Sequence, residues 1–593
     1  MDTDISTMEI NNEKSQMSAY YIGLDFCSKY SVISIYNDMS GSIELVEVQS
    51  PTDKTHFIPN ILLFDQNSSS WKYGFEAESL SILYPEFAVY SITRFLGCEY
   101  KIIINDREFS PAEIAGIIIK KLKEICENYL KETQKKNYSI KHAIVTVPAH
   151  FFDRQIIDIL EACRFAGLDL ETQAIQPHIV KKMENDNFNV FDGIIVDEPL
   201  AAAIHFLHIK SFYSNIIQEI EQGQRKYMLI FDLGRETLNV SIIRFDYHPT
   251  YGIGLNLLVN KRAKPLGGDQ IDLMIMRKML YLCEDVYPNF DSSLISDNSY
   301  RLYERRKKEQ WDSVLYNEVL RARDKWRSAV NSLKKNISAE GYEERFYIDN
   351  HYIITIKEGK LIHSNKNFTF MISRGLFSHM GASILCECEK IINKALDLAN
   401  LEKEDISHVI HTGRSSALKI VEKHISDVFQ HLFYLHDIFI HKEYLKTCVA
   451  QGAAIYGLQR NVPRSMGQGL YLITGGILPH GYGIIKKNNG RLIYDPIIHI
   501  GESYPLKRTK KIYHSSEKYP ERLFFCFYQN EGDYIEIRKI GEIKLDPMDA
   551  VSGYDVEFII DANRFFQIKV NGNCIDIKPE PFEEDQNVWS YLD

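Results

Sequence analysis

Two distant stretches of the sequence share one layout, in which an apolar strand ends at an aspartate, a short polar turn follows and a second apolar strand returns. The first is Tyr20–Ile35, with its aspartate at Asp25, and the second is Met228–Ile243, with its aspartate at Asp232. Apolar runs on both sides of a polar turn predict a β-hairpin. A glycine near such a turn lets backbone N–H groups approach an anion, and the aspartate can hold a hydrated divalent cation. Two such hairpins predict a duplicated fold that holds phosphate groups between its halves.

Length and composition indicate a soluble protein with several domains. The chain has 593 residues, and 80 acidic against 69 basic residues give a net charge of −11. This charge argues against nucleic acid as the main partner. No apolar run reaches the roughly 18 residues that cross a bilayer, so we expect no membrane partner. Residues 1–18 have neither the basic start nor the apolar core of a secretory signal, and we expect them to form a disordered tail.

The ten cysteines are scattered along the chain, and the one tight pair is Cys386 with Cys388. A single pair lacks the second pair that a zinc site needs. We therefore interpret the cysteines as free thiols of a protein in a reducing compartment, which predicts a cytoplasmic location.

Further motifs follow the hairpins in an order that resembles one known family. They are His142–Phe151, Val196–Ala203, Leu266–Asp272, His408–Ser416 and Ala450–Ala454. Together with the hairpins, these segments resemble the actin-like ATPases, and most closely the heat-shock protein 70 chaperone family, over about Tyr20 to Val570. The resemblance implies an α/β actin-like ATPase domain with a duplicated, ribonuclease H-like core, followed by a small all-β sandwich domain.

The resemblance also divides the chain after its first 18 residues. Residues 19–458 correspond to the actin-like nucleotide-binding domain, 459–469 to a linker, and 470–578 to a β-sandwich that is similar to the family's peptide-binding domain. In this last part, short β-patterned runs alternate with Gly, Asn and Asp turns, which is typical of a sandwich. Residues 579–593 form an acidic tail, and no segment that resembles the family's helical lid follows the sandwich.

In the family, the hairpin loops and their surroundings bind ATP or ADP with magnesium. The resemblance gives the catalytic roles to Asp25, Glu198, Asp232 and Thr237, and it implies that Asp25 and Asp232 hold magnesium through water. The expected nucleotide contacts are Ser28, Lys29, Gly234, Arg235, Gly267, Gly268, Lys334, Ser338, Gly413 and Ser415.

Several positions depart from the family where its chemistry is concentrated. Thr93 stands at the position of a lysine that faces the terminal phosphate, Cys27 at a phosphate-loop glycine, and Asn239 at a second aspartate. Arg235 and Glu236 replace two further glycines. Losing one preorganised charge at a transition state costs roughly 3–4 kcal/mol. We therefore expect ATP hydrolysis to be weak or lost, and any binding of ATP or ADP with magnesium to be weak.

The predicted sandwich contains the expected polypeptide site. Leu523 and Phe525 are expected to line a peptide groove, because both faces of the strand Leu523–Tyr528 are apolar or aromatic. A thicker sandwich core explains the same pattern nearly as well. The linker segment Gln459–Ser465 lacks the acidic and apolar residues through which the family transmits the ATP signal. We expect peptide binding that does not respond to ATP.

Three functions stay open from the sequence. The first is a heat-shock protein 70-like chaperone, a polypeptide-binding protein with degenerate ATPase residues and a polypeptide client or a dedicated protein as its partner. The second is a working ATP-driven chaperone in which Lys29 or Arg94 stands in for the missing lysine. The third is an actin-like scaffold without nucleotide. Titration with Mg-ATP separates the second from the others, and client suppression assays separate the first from the third.

Overall fold

The computed structural model describes three consecutive regions of the chain. The described residues are 20–37, 40–81, 84, 87–135, 137–169, 194–208, 226–235, 237–248, 252–263, 266–296, 305–339, 343–357, 359–433, 438–439, 444–461, 473–478, 480–488, 491–512, 522–531, 534–544, 554–561, 564 and 566–575. The two predicted tails and most of the predicted linker lie outside these residues, as does Glu236.

The first region covers residues 20–208. Its strands are β1 (Tyr20–Phe26), β2 (Tyr30–Asn37), β3 (Ser42–Leu45), β4 (Val48–Gln49), β5 (Lys54–Thr55), β6 (Ile58–Pro59), β7 (Ile61–Asp65), β8 (Ser70–Tyr73), β9 (Ala88–Tyr90), β10 (Ile102–Ile104), β11 (Arg107–Phe109), β12 (Ile144–Val147) and β13 (Ile195–Asp197). Its helices are α1 (Phe75–Ser81), α2 (Pro111–Gln134), α3 (Asp153–Phe165) and α4 (Glu198–His208).

The second region covers residues 226–461. Its strands are β14 (Lys226–Leu233), β15 (Leu238–His248), β16 (Gly252–Ala263), β17 (Glu343–Ile348), β18 (Ile354–Lys357), β19 (Lys360–His363), β20 (Phe368–Ser373), β21 (Ile406–Thr412) and β22 (Ile438–Phe439). Its helices are α5 (Gly268–Val286), α6 (Ser293–Ser296), α7 (Ser313–Ala339), α8 (Arg374–Ala399), α9 (Lys419–Val428), α10 (Gln430–Phe433) and α11 (Cys448–Asn461).

The third region covers residues 473–575 and consists of strands. They are β23 (Ile473–Ile477), β24 (Gly481–Asn488), β25 (Arg491–Ile498), β26 (Ser503–Tyr504), β27 (Leu506–Ile512), β28 (Arg522–Glu531), β29 (Tyr534–Lys544), β30 (Tyr554–Ile560), β31 (Phe566–Val570) and β32 (Asn573–Ile575). None of the helices in the described part of the chain combines the length and the apolar character that crossing a membrane requires.

Two sheets with the same arrangement form the core of the first two regions. In one sheet β13, β12 and β1 are parallel, and β2 and β3 follow antiparallel. In the other, β22, β21 and β14 are parallel, and β15 and β16 follow antiparallel. The two predicted hairpins are β1–β2 and β14–β15, and each lies inside its sheet. The repeated order agrees with the duplication that the hairpins predicted, and the mixed sheets with helices agree with an actin-like ATPase fold.

The hairpin strands are apolar on both faces because both faces are covered. Strand β1 is buried at every residue after Tyr20, and the interior of β2 is buried throughout. A strand that is covered on both faces needs a near-continuous apolar sequence instead of an alternating one. The first hairpin therefore delivers Asp25 from a buried position, and β14, which is buried from Met228 to Phe231, delivers the partly exposed Asp232.

Helices α4 and α11 cross in close contact between the two halves. A Cβ at Gly452 of α11 would overlap the backbone carbonyl of Ala201 in α4. A Cβ at Gly23 of β1 would likewise overlap the backbone of α11 at Ala450. Small residues at these positions bring α11 against both α4 and β1, and this fixes where the segment before α11 lies.

The third region contains a β-sandwich. Its sheets have the orders β25-β24-β28-β29 and β27-β30-β31-β32, and all their described pairings are antiparallel. The sheets pack through buried side chains such as Tyr482 and Phe566, whose rings stack with centroids 3.9 Å apart. Strand β23 lies outside the sandwich, because it pairs with β16 and adds β26 to the sheet of the second region. The domain limits stay a prediction.

Candidate nucleotide-binding site

A cavity of about 440 Å³ lies between the two hairpins. Most of the predicted nucleotide-site residues line it, namely Asp25, Ser28, Lys29, Thr93, Glu198, Asp232, Gly234, Arg235, Thr237, Asn239, Gly268, Lys334, Gly413 and Ser415. Gly267 is not in the lining, and the side chain of Ser338 lies outside the part that the structure describes. The structure thus brings residues from both halves of the duplicated fold around one space.

Asp25, at the end of β1, is held by donors from the protein itself. Its Oδ1 accepts a hydrogen bond from Thr146 Oγ1 at 3.1 Å and another from the thiol of Cys27 at 3.0 Å. Burial, and after it the charge of Asp25, raises the pKa of Cys27 well above its usual value. The thiol therefore stays protonated at neutral pH and acts as a donor.

Asp232, at the end of β14, is held in a similar way. It lies opposite Asn239 of β15, and the side-chain amide of Asn239 donates to its Oδ2 at 3.3 Å. An aspartate at position 239 would have no proton to donate at neutral pH. Gly413 has a φ of +77°, and a Cβ there would lie 2.5 Å from Oδ1 of Asp232. Only glycine fits this approach, so the position of Asp232 is tightly defined.

Lys446 lines the cavity, although the sequence motifs did not predict it as a site residue. It lies in the turn before α11, and the donation from Gly413 N to the carbonyl of Leu445 at 2.9 Å holds this turn against the end of β21. The Nζ of Lys446 donates to Sγ of Cys27 at 3.4 Å. A segment from the second half of the fold thus reaches the first hairpin.

Acidic groups from three elements act on the ammonium of Lys446. They are Asp25 of β1, Asp232 of β14 and Glu198 of α4. Burial alone would lower the pKa of Lys446, but Cys27 and these carboxylates raise it above the ordinary value of a lysine. The ammonium is therefore charged at neutral pH.

Glu198, one of the predicted catalytic residues, has a raised pKa. Burial, followed by the charges of Asp25 and Asp232, raises its pKa to about 8. Glu198 is therefore mostly protonated at neutral pH. A protonated carboxyl accepts a proton from water poorly, which weakens the role that the sequence predicted for this residue.

Several polar groups of the turn between β14 and β15 already make hydrogen bonds within the protein. Gly234 N donates to Thr237 O at 3.0 Å and closes the turn. The first amides of α5 donate to its carbonyls, Gly268 N to Gly234 O at 3.0 Å and Asp269 N to Arg235 O at 2.7 Å. The guanidinium of Arg235 pairs with Asp269, with Nε 2.8 and 2.9 Å from the two carboxylate oxygens. These amides and this charge are therefore less available to a phosphate.

The cavity as a whole favours anions. Seven Lys and Arg residues line it against five Asp and Glu residues, although the whole chain has a net charge of −11. Lys334 is paired with Asp272. Burial, followed by repulsion from Arg235 and with a smaller effect of Arg414, lowers the pKa of Lys29, as expected where positive charges gather. A basic cavity in an acidic protein attracts negatively charged ligands.

The donors around Asp25 and Asp232 fit a magnesium ion poorly. Magnesium takes an octahedron of oxygens, usually one or two carboxylates and several waters. One oxygen of each carboxylate already accepts hydrogen bonds from the protein, and Lys446 adds a positive charge. Two unit positive charges 4 Å apart repel each other by about 4 kcal/mol at an effective dielectric constant of 20, and a divalent ion doubles this. The residues present therefore do not form a magnesium site.

A second metal arrangement fails for a similar reason. Asp25, Cys27 and Glu198 have ligand atoms within 4.8 Å of one another. A cysteine binds a metal as its thiolate, whereas here Cys27 is protonated and Lys446 lies 3.4 Å from its sulfur. The positive charge of Lys446 beside this sulfur therefore opposes a cation there.

The β-sandwich is anchored beside the cavity. Arg564 lies in the turn between β30 and β31 and is 2% exposed. Its Nη1 donates to Oδ1 of Asp197 at 3.2 Å, and its Nη2 donates to the carbonyl of Phe151. The hydroxyl of Tyr504 donates to Oδ2 of Asp197 at 3.0 Å. Asp197 directly precedes Glu198 and Phe151 lines the cavity, so the sandwich is fixed to the cavity wall.

The predicted peptide groove is described at the level of the backbone. Leu523 and Phe525 lie in β28, which pairs with β24 on one side and β29 on the other. Their side chains lie outside the described part of the structure, so the groove stays a prediction.

Comparisons with known proteins give one consistent result. The family model described as Hsp70 protein matches residues 100–173 and 193–463, which is more than half of the chain. The chaperone protein DnaK of Thermosipho melanesiensis is 26% identical over 503 residues, which cover 84% of this chain and 68% of that protein. The chaperone protein DnaK of Thermosipho africanus is 25% identical over 519 residues, covering 86% and 70%. That of Thermoplasma volcanium is 25% identical over 354 residues, covering 60% and 45%.

Proposed function

Because this chain belongs to the Hsp70 protein family, we propose that it is a chaperone that binds polypeptides through its β-sandwich and hydrolyses ATP slowly or not at all. One observation carries the loss of hydrolysis. The two aspartates that would direct magnesium accept hydrogen bonds within the protein, Asp25 from Thr146 and Cys27 and Asp232 from Asn239. Phosphoryl transfer depends on positioning and charge neutralisation by such groups. A site whose carboxylates are occupied supplies little of either.

One further substitution and one shifted pKa act in the same direction. Thr93 lines the cavity and offers a neutral hydroxyl where the family resemblance implies a lysine. Glu198 is mostly protonated, because its pKa is raised to about 8. Each missing charge is worth roughly 3–4 kcal/mol of transition-state stabilisation, some hundreds-fold in rate, although such losses do not add. A slow ATPase that has lost several of these groups falls close to the uncatalysed rate.

Polypeptide binding is proposed for the sandwich on the basis of its architecture and of the family. Strands β25 and β29 are the outer strands of one sheet, and β27 and β32 are those of the other, within the described residues. An outer strand offers backbone N–H and C=O groups to an extended peptide, and side-chain pockets then select its sequence. The partner is a polypeptide client or a dedicated protein with an extended apolar segment.

The sandwich is proposed to stay docked whether or not nucleotide is bound. The Arg564–Asp197 pair is almost fully buried, with its side chains 2% and 0% exposed. Tyr482 adds a hydrogen bond to Asp153 at the start of α3. Breaking a buried ion pair leaves an uncompensated charge and costs about 3–5 kcal/mol. Peptide binding should therefore be insensitive to ATP.

The hydrolytic part of the proposal is tested by phosphate release from ATP. We expect the purified protein to release phosphate near the background rate, and we expect Asp232→Ala to leave that rate unchanged. The variant controls for a contaminating ATPase, because it removes a residue of this cavity alone. A rate far above background that Asp232→Ala abolishes would favour the working ATP-driven chaperone.

The binding part is tested by titrating labelled apolar heptapeptides into the full chain, with and without ATP. We expect fast binding of modest affinity that ATP does not change. A heptapeptide of the same length with charged residues in place of the apolar ones is the matched control and should not bind. Absence of binding by every apolar peptide would favour the scaffold, and release of peptide on adding ATP would contradict the docked arrangement.

A further inference from the structure

Lys446 differs in its surroundings from Lys334 and Arg235, two other basic residues of the cavity. Lys334 is paired with Asp272, and Arg235 is paired with Asp269. The ammonium of Lys446 instead donates to the sulfur of Cys27 at 3.4 Å. An ammonium has three N–H donors. Within the described residues, the contact with Cys27 uses one of them, so donors remain for a ligand in the cavity.

The position of Lys446 is fixed by the backbone. Thr447 N donates to Tyr444 O at 3.1 Å, which closes the turn before α11. The donation from Gly413 N to Leu445 O then holds this turn beside the end of β21. These hydrogen bonds hold the backbone at Lys446, so its side chain starts from a defined position beside the cavity.

We propose that the ammonium of Lys446 is a built-in cation that takes the place of a divalent metal, so that this cavity binds the polyphosphate group of a nucleoside di- or triphosphate without magnesium. Three observations lead to this inference. The ammonium lies beside Cys27, which contacts Asp25, in the cavity that Asp25 and Asp232 both line. The hydrogen bonds to Asp25 and Asp232 occupy one oxygen of each carboxylate, and the ammonium beside Cys27 opposes a magnesium ion at the others. The cavity nevertheless has an excess of basic side chains.

The chemistry of the two cations explains why such an exchange is workable for binding. A lysine ammonium binds phosphate oxygens as a compact point charge with several donors. A divalent ion also neutralises phosphate, but it must be held by free carboxylates and water. An ammonium that is covalently attached to the protein needs no carboxylates or waters to hold it. It carries one charge where the metal carries two, which suits binding better than the stabilisation of a transition state.

This inference rests on the nucleotide cleft that the family membership implies and does not depend on polypeptide binding by the sandwich. The peptide titration and the experiments below therefore fail independently. A protein that binds peptides but no nucleotide keeps the proposed function and loses this inference.

The first experiment uses the metal alone as the probe. Thermal unfolding of the full chain is followed in EDTA and in millimolar Mg²⁺ or Mn²⁺, for the wild-type protein, Lys446→Ala and Lys419→Met. Lys419 is the matched control, because it is a partly exposed lysine paired with Glu422 and lies outside the cavity. We expect wild type and Lys419→Met to unfold at a temperature that divalent ions do not change. Lys446→Ala should be less stable in EDTA and should regain stability with Mg²⁺ or Mn²⁺, because the freed carboxylates then bind the ion.

The second experiment measures binding of ATP, ADP and tripolyphosphate by titration calorimetry, in EDTA and in Mg²⁺. We expect wild type and Lys419→Met to bind with affinities that differ by less than about threefold between the two conditions. Lys446→Ala should bind at least about tenfold more weakly in EDTA and should become dependent on Mg²⁺. Lys446→Arg keeps the charge and serves as the second variant if Lys446→Ala does not fold. It should retain binding in EDTA.

Three results would overturn the inference. One is wild-type binding that requires Mg²⁺. Another is binding in EDTA that Lys446→Ala leaves unchanged, because a different group would then hold the phosphates. The third is the absence of binding by all three probes in both conditions, which would mean that the cavity takes no polyphosphate.

Discussion

At the scale of single residues, His411 couples the stability of the fold to pH. It lies in β21 against Phe231 and is 1% exposed. Burial lowers its pKa from 6.5 to about 4. Between about pH 4 and pH 6.5, His411 therefore binds a proton in the unfolded chain but not in the folded chain. The stabilisation is complete above about pH 6.5 and is lost as the pH falls towards 4, and at about 1.4 kcal/mol per pKa unit the loss amounts to about 3 kcal/mol.

We predict that replacing this histidine flattens the acid side of the stability profile. The free energy of unfolding is measured by urea denaturation from pH 7 to pH 4 for the wild-type protein, His411→Leu and His379→Gln. His379 is exposed, so its replacement should leave the profile unchanged. As the pH falls over this range, the free energy of unfolding of the wild-type protein should decrease by about 3 kcal/mol more than that of His411→Leu. Parallel profiles would show that His411 does not titrate as described.

The residues that sequence reasoning missed act through packing and carry no motif. Asp25, Asp232 and Glu198 stand in recognisable segments, and the structure places all three at the cavity. Lys446 belongs to a short turn whose sequence has no pattern, and only the crossing of α11 between the two halves brings it there. Its one signal in the sequence is its place just before the glycine- and alanine-rich start of that helix. The contact of Arg564 with Asp197 is equally hidden, because the two residues lie far apart in the sequence.

At the scale of elements, the contact between α4 and α11 sets the geometry of the site. Glu198 begins α4, and Lys446 lies in the turn that precedes α11. A Cβ at Gly452 would overlap the carbonyl of Ala201, which is backbone and has no rotamer to change. Any larger residue at position 452 must therefore separate the two helices, and both site residues move with them.

We predict that Gly452→Ala destabilises the protein by about 2 kcal/mol or more, the upper part of the usual range for overpacking. Gly375→Ala is the matched control, because position 375 lies in the first turn of α8 with 4.0 Å to the nearest atom that a Cβ would meet. This control should be neutral or slightly stabilising, since alanine favours a helix. Urea denaturation of both variants gives the comparison. Equal stability of the two would show that α4 and α11 can separate at little cost.

The sheets show which elements a sequence can predict. The hairpins β1–β2 and β14–β15 were predicted because an apolar strand, a polar turn and a second apolar strand form a local signal. The exchange of β23 from the predicted sandwich domain to the sheet of β16 was not predicted, because Gly254–Asn256 and Ile473–Gly475 pair across a long separation in the chain. Strand pairing of this kind depends on the packing of whole elements and has no counterpart in the local pattern.

At the scale of the whole molecule, the third region of the chain, which contains the sandwich, is joined to the first region by polar groups in a buried interface. Arg564 of the sandwich and Tyr504 of β26 meet Asp197 at the end of β13, and Tyr482 of the sandwich meets Asp153 at the start of α3. Each acceptor lies next to the cavity in sequence or in space. The docked sandwich therefore stabilises the same wall that presents Glu198.

We predict that Arg564→Met weakens the docking of the sandwich and destabilises the protein by about 3–5 kcal/mol, because Asp197 is left as an uncompensated buried charge. Arg508→Met is the matched control, since Arg508 pairs with Glu502 at 2.7 Å but its side chain is 52% exposed, and such surface pairs contribute at most about 1 kcal/mol. The double variant Asp197→Asn with Arg564→Met should recover part of the loss, because it removes the unpaired charge. Urea denaturation measures the stabilities, and small-angle X-ray scattering measures whether the radius of gyration increases. If Arg564→Met behaves like Arg508→Met in both measurements, the buried pair does not hold the sandwich in place. The proposed insensitivity of peptide binding to ATP would then need another cause.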